Sequence, residues 1–438
     1  MANQPTSDTT DTSRDLFSRA TNVIPGGVSH NVRYRDPYPI YVDRATGPHM
    51  WDVDGNRYVD FWNNHAASIL GHSYPTVVEA IEEQVPNGIH YGAQNEASLA
   101  LAERVSEFIP SAERVRFCMS GTEATMYAVR LARAWTGRDT VIKVRGGWHG
   151  GNTVLSHEVK PPFDAPTTTG LPPGITDSIE SIRLDDRAAL TDHLDRIGDD
   201  LAAIIVDPRR SVIPDGQEVL EFLADERNER GYLLIFDEVV TGFRTAPGSY
   251  QAATGIDADL TTVGKVLGGG MPIGALAGRP DLFRAARPDV DIDPDRRVLA
   301  GGGTFTDHPL SAVAGLATLD VLASEPVHDH TEALASKARA GLRDVFTDES
   351  VDGEVWGLSS LLHIVFNPER PVRTPDDVRE ATDKKALLRF HDELIDRGYF
   401  FNPGSGGNVS YALTEEHITG LIDAAGDAVR AMQSDGVI

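Results

Sequence analysis

The sequence predicts an α/β fold, with a mainly parallel sheet covered by helices on both faces and a second, smaller domain of mixed α and β. Three observations carry this. Between Arg114 and Lys265, short apolar and β-branched runs alternate with Gly-rich turns and helical stretches. The runs are apolar on both faces, as strands between two layers must be. Ser120, Trp148, Asp207, Asp237 and Lys265 all fall where such strands end, the edge at which these sheets bind ligands.

In order, Arg14 to Val23 reads as a short helix, broken by Ile24-Pro25-Gly26-Gly27. Tyr41-Val42, Met50 to Val53 and Arg57 to Phe61 alternate like strands, with Asp54-Gly55 as a hairpin turn. Tyr74 to Gln84 and Ala97 to Phe108 have helical spacing. Strands follow at Val115 to Met119, Thr140 to Val144, Leu201 to Val206, Tyr232 to Phe236 and Asp259 to Val263. Helices Ala124 to Trp135 and Val219 to Glu229 lie between them, and Leu310 to Leu322 follows. Pro161 to Pro173 is a Pro/Thr/Gly-rich loop, either a lid or a plain connection. Helices Thr331 to Phe346 and Ala381 to Arg397, a strand near Leu361 to Phe366 and a last helix from Thr414 make the second domain. The expected division is an N-terminal segment and hairpin over 1–70, with a disordered tail over about 1–11, a large domain over 71–322 and a small one over 323–438.

Composition narrows the function. The formal charge is −26, with 66 Asp plus Glu against 40 Lys plus Arg, which argues against nucleic acid or an anionic membrane as partner. The acid is dispersed and lysine is scarce, a composition that suits a salt-rich cytoplasm; an ordinary acidic enzyme is the plainer reading. No run approaches a membrane span, no signal pattern opens the chain, and the one cysteine, Cys118, fits a reducing compartment. The expected location is cytoplasmic, and no metal site is expected.

Lysine appears only at 143, 160, 265, 337, 384 and 385, so arginine serves wherever a plain positive charge is enough. Lys265 closes an apolar strand and precedes Val266-Leu267-Gly268-Gly269-Gly270. Burial lowers a lysine pKa, and a neutral amine can form a Schiff base with a carbonyl. The bland alternative is a lysine whose head snorkels from the strand end. Ser120-Gly121-Thr122 joins a strand to a helix and offers free amides and hydroxyls to an anion, or simply an N-cap. Asp237 ends a buried strand and needs a partner, either a salt bridge to an arginine such as Arg244 or a protonated ring nitrogen. Trp148, set among glycines, is a core or interface anchor, or a platform for a flat ligand. A phosphate, a flat ring with a basic nitrogen and an aldehyde together describe pyridoxal 5′-phosphate. With that cofactor Asp237 keeps the ring nitrogen protonated and Lys265 shuttles the proton of transamination.

The chain resembles the class III aminotransferases, and within them glutamate-1-semialdehyde 2,1-aminomutase and its aminotransferase relatives. The likeness runs from about Asp15 to near the C-terminus. It rests on Ile24-Pro25-Gly26-Gly27-Val28, Trp51-Asp52-Val53-Asp54-Gly55-Asn56-Arg57-Tyr58, Ser120-Gly121-Thr122-Glu123-Ala124-Thr125-Met126, Phe236-Asp237-Glu238-Val239 with Thr241-Gly242-Phe243-Arg244, and Asp259 to Lys265 with Gly268-Gly269-Gly270. The resemblance implies a fold-type I transferase with a seven-stranded sheet, and a homodimer with shared active sites. It implies that Ser120, Gly121 and Thr122 hold the phosphate, that Trp148 and His149 lie at the ring, and that Val239 packs on its other face. It implies that Thr304 reaches the phosphate of the neighbouring subunit, and that Arg33 binds a substrate carboxylate rather than being a solvated loop charge.

The substrate half departs from the pattern. His65 stands where the aminomutase usually has tryptophan, and Asn402 to Ser410 lacks its Gln-Phe-Glu glutamate. Asp207-Pro208 replaces the common Glu-Pro, and Arg209-Arg210-Ser211 replaces an Ala-Gly-Asn type segment, so Arg209 or Arg210 is a candidate for a second carboxylate. The resulting expectation is an aminotransferase moving an amino group from a carboxylate-bearing amino acid or amine to a 2-oxo acid. The aminomutase is second, and a pyridoxal-phosphate-binding protein without turnover is third.

Overall fold

Val141, Ile142 and Val144, and the whole run Leu201–Val206, have no polar face to show to water, so their strands form only where another layer covers each side. The computed structural model describes residues 11–163, 168–172, 174–209, 216–293, 297–404 and 406–438. The tail expected over 1–11 and the middle of the 161–173 loop therefore lie largely outside the described residues. The chain forms two compact units, one of residues 1–75, 326–369 and 381–438, the other of 76–325 and 370–380.

The smaller unit opens with β1 (Val42–Thr46), β2 (His49–Asp52) and β3 (Arg57–Asp60), an antiparallel meander. The Asp54-Gly55 turn between β2 and β3 forms as expected. The buried Asp52 carboxylate organises it, accepting from the Asp54 and Asn56 amides (3.1 and 2.8 Å) and the Tyr58 hydroxyl (2.9 Å). After β3 the backbone makes a turn of opposite hand: Asn63, Asn64, His65 and Ala66 have φ of 44°, 54°, 57° and 64°. Such a turn costs about 1–2 kcal/mol per residue, so it must be held from outside. Asp60 accepts from the Trp62 and Asn63 amides (2.7 and 3.0 Å), and Asn63 Nδ2 donates to the Asn408 carbonyl (2.9 Å).

The larger unit carries β4 (Arg114–Cys118), β5 (Thr140–Val144), β6 (Ile179–Ile182), β7 (Leu201–Val206), β8 (Leu233–Asp237), β9 (Leu260–Gly264) and β10 (Gly274–Gly278). Their order in the sheet is β4-β10-β9-β8-β7-β5-β6. Six strands run in one direction and β10 runs against both its neighbours. The carboxyl ends of β4, β5, β7, β8 and β9 therefore share one edge, as the sequence predicted. Segment 370–380 packs in this unit, where Arg183 binds Asp376 (2.5 Å) and Asp377 (3.3 Å).

The last strands, β11 (Gly353–Trp356), β12 (Leu361–Phe366), β13 (Tyr399–Phe400) and β14 (Gly407–Asn408), belong to the smaller unit. β13 adds in parallel to β3, and β11-β12-β14 make a separate small sheet. Phe61, Phe346, Phe366, Phe390 and Phe401 fill the core of that unit with helices Val327–Asp348, Lys384–Asp396 and Glu415–Ser434. Among the described residues no single helix is long and apolar enough to cross a membrane.

Candidate active site

The shared strand edge gathers most of the expected residues. Ser120 leaves β4 in extended conformation and caps helix Gly121–Thr136, its hydroxyl accepting from the Glu123 amide (3.2 Å) while Glu123 reaches back to the Met119 amide (2.8 Å). The first amides of that helix have no intrahelical acceptor and point at the strand edge. A side chain at Gly121 would put its Cβ 2.7 Å from both Val239 methyls, so only glycine lets the backbone lie against Val239. Gly150 does the same for Thr122. With φ of 89° and a Cβ position 2.4 Å from Thr122 Oγ1, it leaves that hydroxyl room.

Asp237 closes β8 and is 5% exposed. Its Oδ2 lies 2.7 Å from His149 Nδ1, and its Oδ1 accepts from Thr262 Oγ1 (3.1 Å) and the Val239 amide (3.2 Å). The partner expected in the plain reading, Arg244, is not among these contacts. Thr262 was not singled out from the sequence; only the pairing of β9 with β8 sets it opposite Asp237. The His149 side chain is fully buried, and its Nε2 has no partner among the described residues. Its backbone carbonyl accepts from Thr125 Oγ1 (2.7 Å) and Asn152 Nδ2 (3.2 Å), which tie its loop to the capped helix. Trp148 next to it is 49% exposed, so it is no core anchor.

Lys265 follows the extended Gly264 and takes φ of 48°, a left-handed conformation that a non-glycine residue adopts only under constraint. Its ammonium has no hydrogen-bond or ion-pair partner among the described residues. Burial lowers its pKa from 10.5 to about 8; the charges of Arg209 and Arg244 act in the same direction, and those of Asp237 and Asp207 oppose them. Arg209, a candidate for a second substrate carboxylate, is engaged by the chain itself. Its guanidinium grips Asp207, and its amide donates to Asp207 Oδ1 (3.0 Å). Arg210 lies outside the described residues.

Thr304 lies in the same unit, exposed in a turn, its carbonyl 2.7 Å from His90 Nε2. Arg33 and His65 belong to the smaller unit. Arg33 ends a short turn pinned by Asn402 Nδ2 on the Val32 carbonyl (2.7 Å), and its guanidinium is exposed and has no ion-pair partner among the described residues. The His65 ring rests 4.7 Å from Trp62 and 5.2 Å from His30, centre to centre.

The model of the family "Aminotransferase class-III" matches residues 30–396. The chain belongs to the class III aminotransferases. The glutamate-1-semialdehyde 2,1-aminomutase of Methanopyrus kandleri is 39% identical over 392 residues, covering 88% of this chain and 89% of that protein. An omega-transaminase from Sphaerobacter thermophilus superposes with a TM-score of 0.88 at 34% identity, covering 96% of this chain and 98% of its own. A solved transaminase with pyridoxal phosphate bound reaches 0.87 at 30% identity, over 98% of this chain and 99% of its own. The fold of this class III chain is that of the fold-type I pyridoxal-phosphate transferases. Pyridoxal phosphate is the family's cofactor, and the residues fit it. The capped helix start with Thr122 suits the phosphate, Asp237 the ring nitrogen, and the buried, partly neutral amine of Lys265 the aldehyde.

Proposed function

We propose that this chain moves an amino group on a carboxylate-bearing substrate, with Lys265 as the amine that carries the proton. The observation behind this is the buried Lys265 amine, its pKa lowered, on the same strand edge as the His149–Asp237 pair. Bound pyridoxal phosphate supplies an aldehyde and a ring that accepts electrons when a bond at the substrate carbon breaks. Asp237 holds a proton at the ring nitrogen, and His149 and Thr262 orient its two oxygens. Gly121, Thr122 and the Ser120 hydroxyl hold the phosphate. Trp148 and Val239 confine the ring and keep water from it. Lys265 Nζ takes the proton from the substrate carbon beside the nitrogen and returns it one position away. Arg33 grips the substrate carboxylate in the two-pronged way a guanidinium allows. The working unit is a homodimer in which Thr304 serves the neighbouring site.

Two outcomes of that chemistry stand apart. Kinship favours the intramolecular one, the aminomutase, over the aminotransferase that the sequence put first, since the relative from Methanopyrus kandleri bears that name. Two departures in the sequence support the intermolecular one: His65 replaces the aminomutase's usual tryptophan, and Asn402 to Ser410 lacks its glutamate. The holoenzyme given glutamate-1-semialdehyde and no acceptor decides between them. Formation of 5-aminolevulinate establishes the aminomutase. No product there, with amino transfer from an amine panel to a 2-oxo acid, establishes the aminotransferase. Neither reaction, with a cofactor band that no amine perturbs, overturns both.

A further inference from the structure

Lys143 is the other lysine that the fold places unusually. It lies within β5, between Ser181 of β6 and Ile205 of β7 in the registers of the sheet, and its exposure is 0%. Burying an ammonium is costly unless its hydrogens are taken up. Here Nζ donates to the Gly147 carbonyl (2.9 Å) and to the His157 carbonyl (2.6 Å). Those two carbonyls mark the ends of one loop. Gly147 immediately precedes Trp148, and His157 is where the loop comes back beside its own start, with Gly146 N bonded to the Glu158 carbonyl (2.9 Å). The ammonium thus closes the base of the loop that presents Trp148 and His149. The far side of the same loop is fixed by Thr125 and Asn152 on the His149 carbonyl.

We propose that Lys143 is a positioning residue for the reaction, holding His149 against Asp237 and Trp148 at the strand edge through the carbonyls of Gly147 and His157. The proposal rests on the cofactor reading of the site. A lysine suits the task because its donors spread tetrahedrally from one small head and reach carbonyls at two loop ends, whereas a planar guanidinium needs more room and aligns its donors in one plane. When the base of the loop opens, His149 withdraws from Asp237 Oδ2, and the proton at the ring nitrogen is the first thing to change. The effect of losing Lys143 is therefore read at the cofactor, not only in the melting curve.

The test compares wild type with Lys143→Met, which keeps the stem and removes the head, and Lys143→Gln, which keeps donors for one carbonyl. Three readouts are taken: melting temperature, hydrogen exchange of the 145–158 amides in the cofactor-free protein, and the pH titration of the holoenzyme's absorbance with kcat and KM. Lys143→Met is expected to exchange faster over 145–158, to shift the titration midpoint, and to lower kcat on the order of 100-fold with KM little changed. Lys143→Gln is expected to recover a good part of kcat. If Lys143→Met does not fold, Lys143→Gln alone must show the exchange and titration changes. Variants that fold with unchanged loop exchange and titration midpoint overturn the proposal, whatever their stability. A wild type that takes up no cofactor overturns instead the reading of the site.

Discussion

Lys265 separates two kinds of lysine by a proton. With a pKa of about 8, against 10.5 for an ordinary lysine, about one amine in ten is neutral at pH 7, instead of roughly one in three thousand. Only the neutral amine attacks an aldehyde. The rate at which cofactor-free protein captures pyridoxal phosphate is therefore expected to rise about tenfold per pH unit up to about pH 8 and then level. Stopped-flow absorbance across pH 6 to 10 checks this; a rise that continues unbroken to pH 10 would show the amine to be ordinary. Arg209→Gln is expected to move the break upward, because Arg209's charge acts with burial to hold the pKa down. The placing of Asp237 and Lys265 at strand ends was legible in the sequence, since a lysine or carboxylate at the end of an apolar strand is out of place by composition alone. Their partners were not. Asp237 reads equally well as a mate for Arg244, and only the fold brings His149 to Oδ2 across 88 residues.

At the level of elements, legibility followed apolar content. The strands at Thr140–Val144 and Leu201–Val206 begin and end where the apolar runs do. β6 and β10 gave no comparable signal. One is Ile-Glu-Ser-Ile, an edge strand with two polar residues, and the other is Gly-Ala-Leu-Ala-Gly, whose small side chains carry little strand preference. Tertiary pairing, not propensity, makes them strands. The helix Lys384–Asp396 carries a similar hidden constraint. His391 is fully buried against Phe401, ring stacked on ring at 5.5 Å, and its Nδ1 accepts from the Gly404 amide (3.0 Å). Burial pushes its pKa from 6.5 to about 3, so the ring is neutral in the fold. A lowered folded pKa gives stability that is complete above pH 6.5 and is lost as pH falls toward about 3. Acid is expected to remove up to about 1.4 kcal/mol per pH unit through this residue alone. Denaturant melts at pH 6, 5 and 4 should show a shallower fall for His391→Asn, which retains an acceptor for Gly404. Parallel slopes for both proteins would assign the acid sensitivity elsewhere.

For the whole molecule, the excess of 66 acidic over 40 basic residues sets the response to salt. Arginines meet many of those carboxylates in pairs such as Arg35–Asp392 and Arg370–Glu380, yet a net −26 remains. Raising the ionic strength from about 0.1 to 1 M shortens the screening length from roughly 10 to 3 Å and quiets that self-repulsion. The melting temperature is expected to climb by several degrees between 0.1 and 2 M KCl. A flat or falling series in scanning calorimetry would mean that the acid is incidental.

The position of β10 also sets a schedule. β4, which delivers Ser120, has no sheet partner but β10 among the described residues, and β10 is the strand that joins it to the one ending before Lys265. A chain growing from a ribosome has made β4 and the turn at Ser120 long before Gly274–Gly278 exists. Until that late strand threads between them, the turn at Ser120 and the amine of Lys265 belong to two unjoined halves. Synthesis must run past Gly278, well over half the polypeptide, before the sheet can hold both at one edge. A nascent chain halted short of that point would expose the flank of β4 to whatever strand or chaperone reached it first.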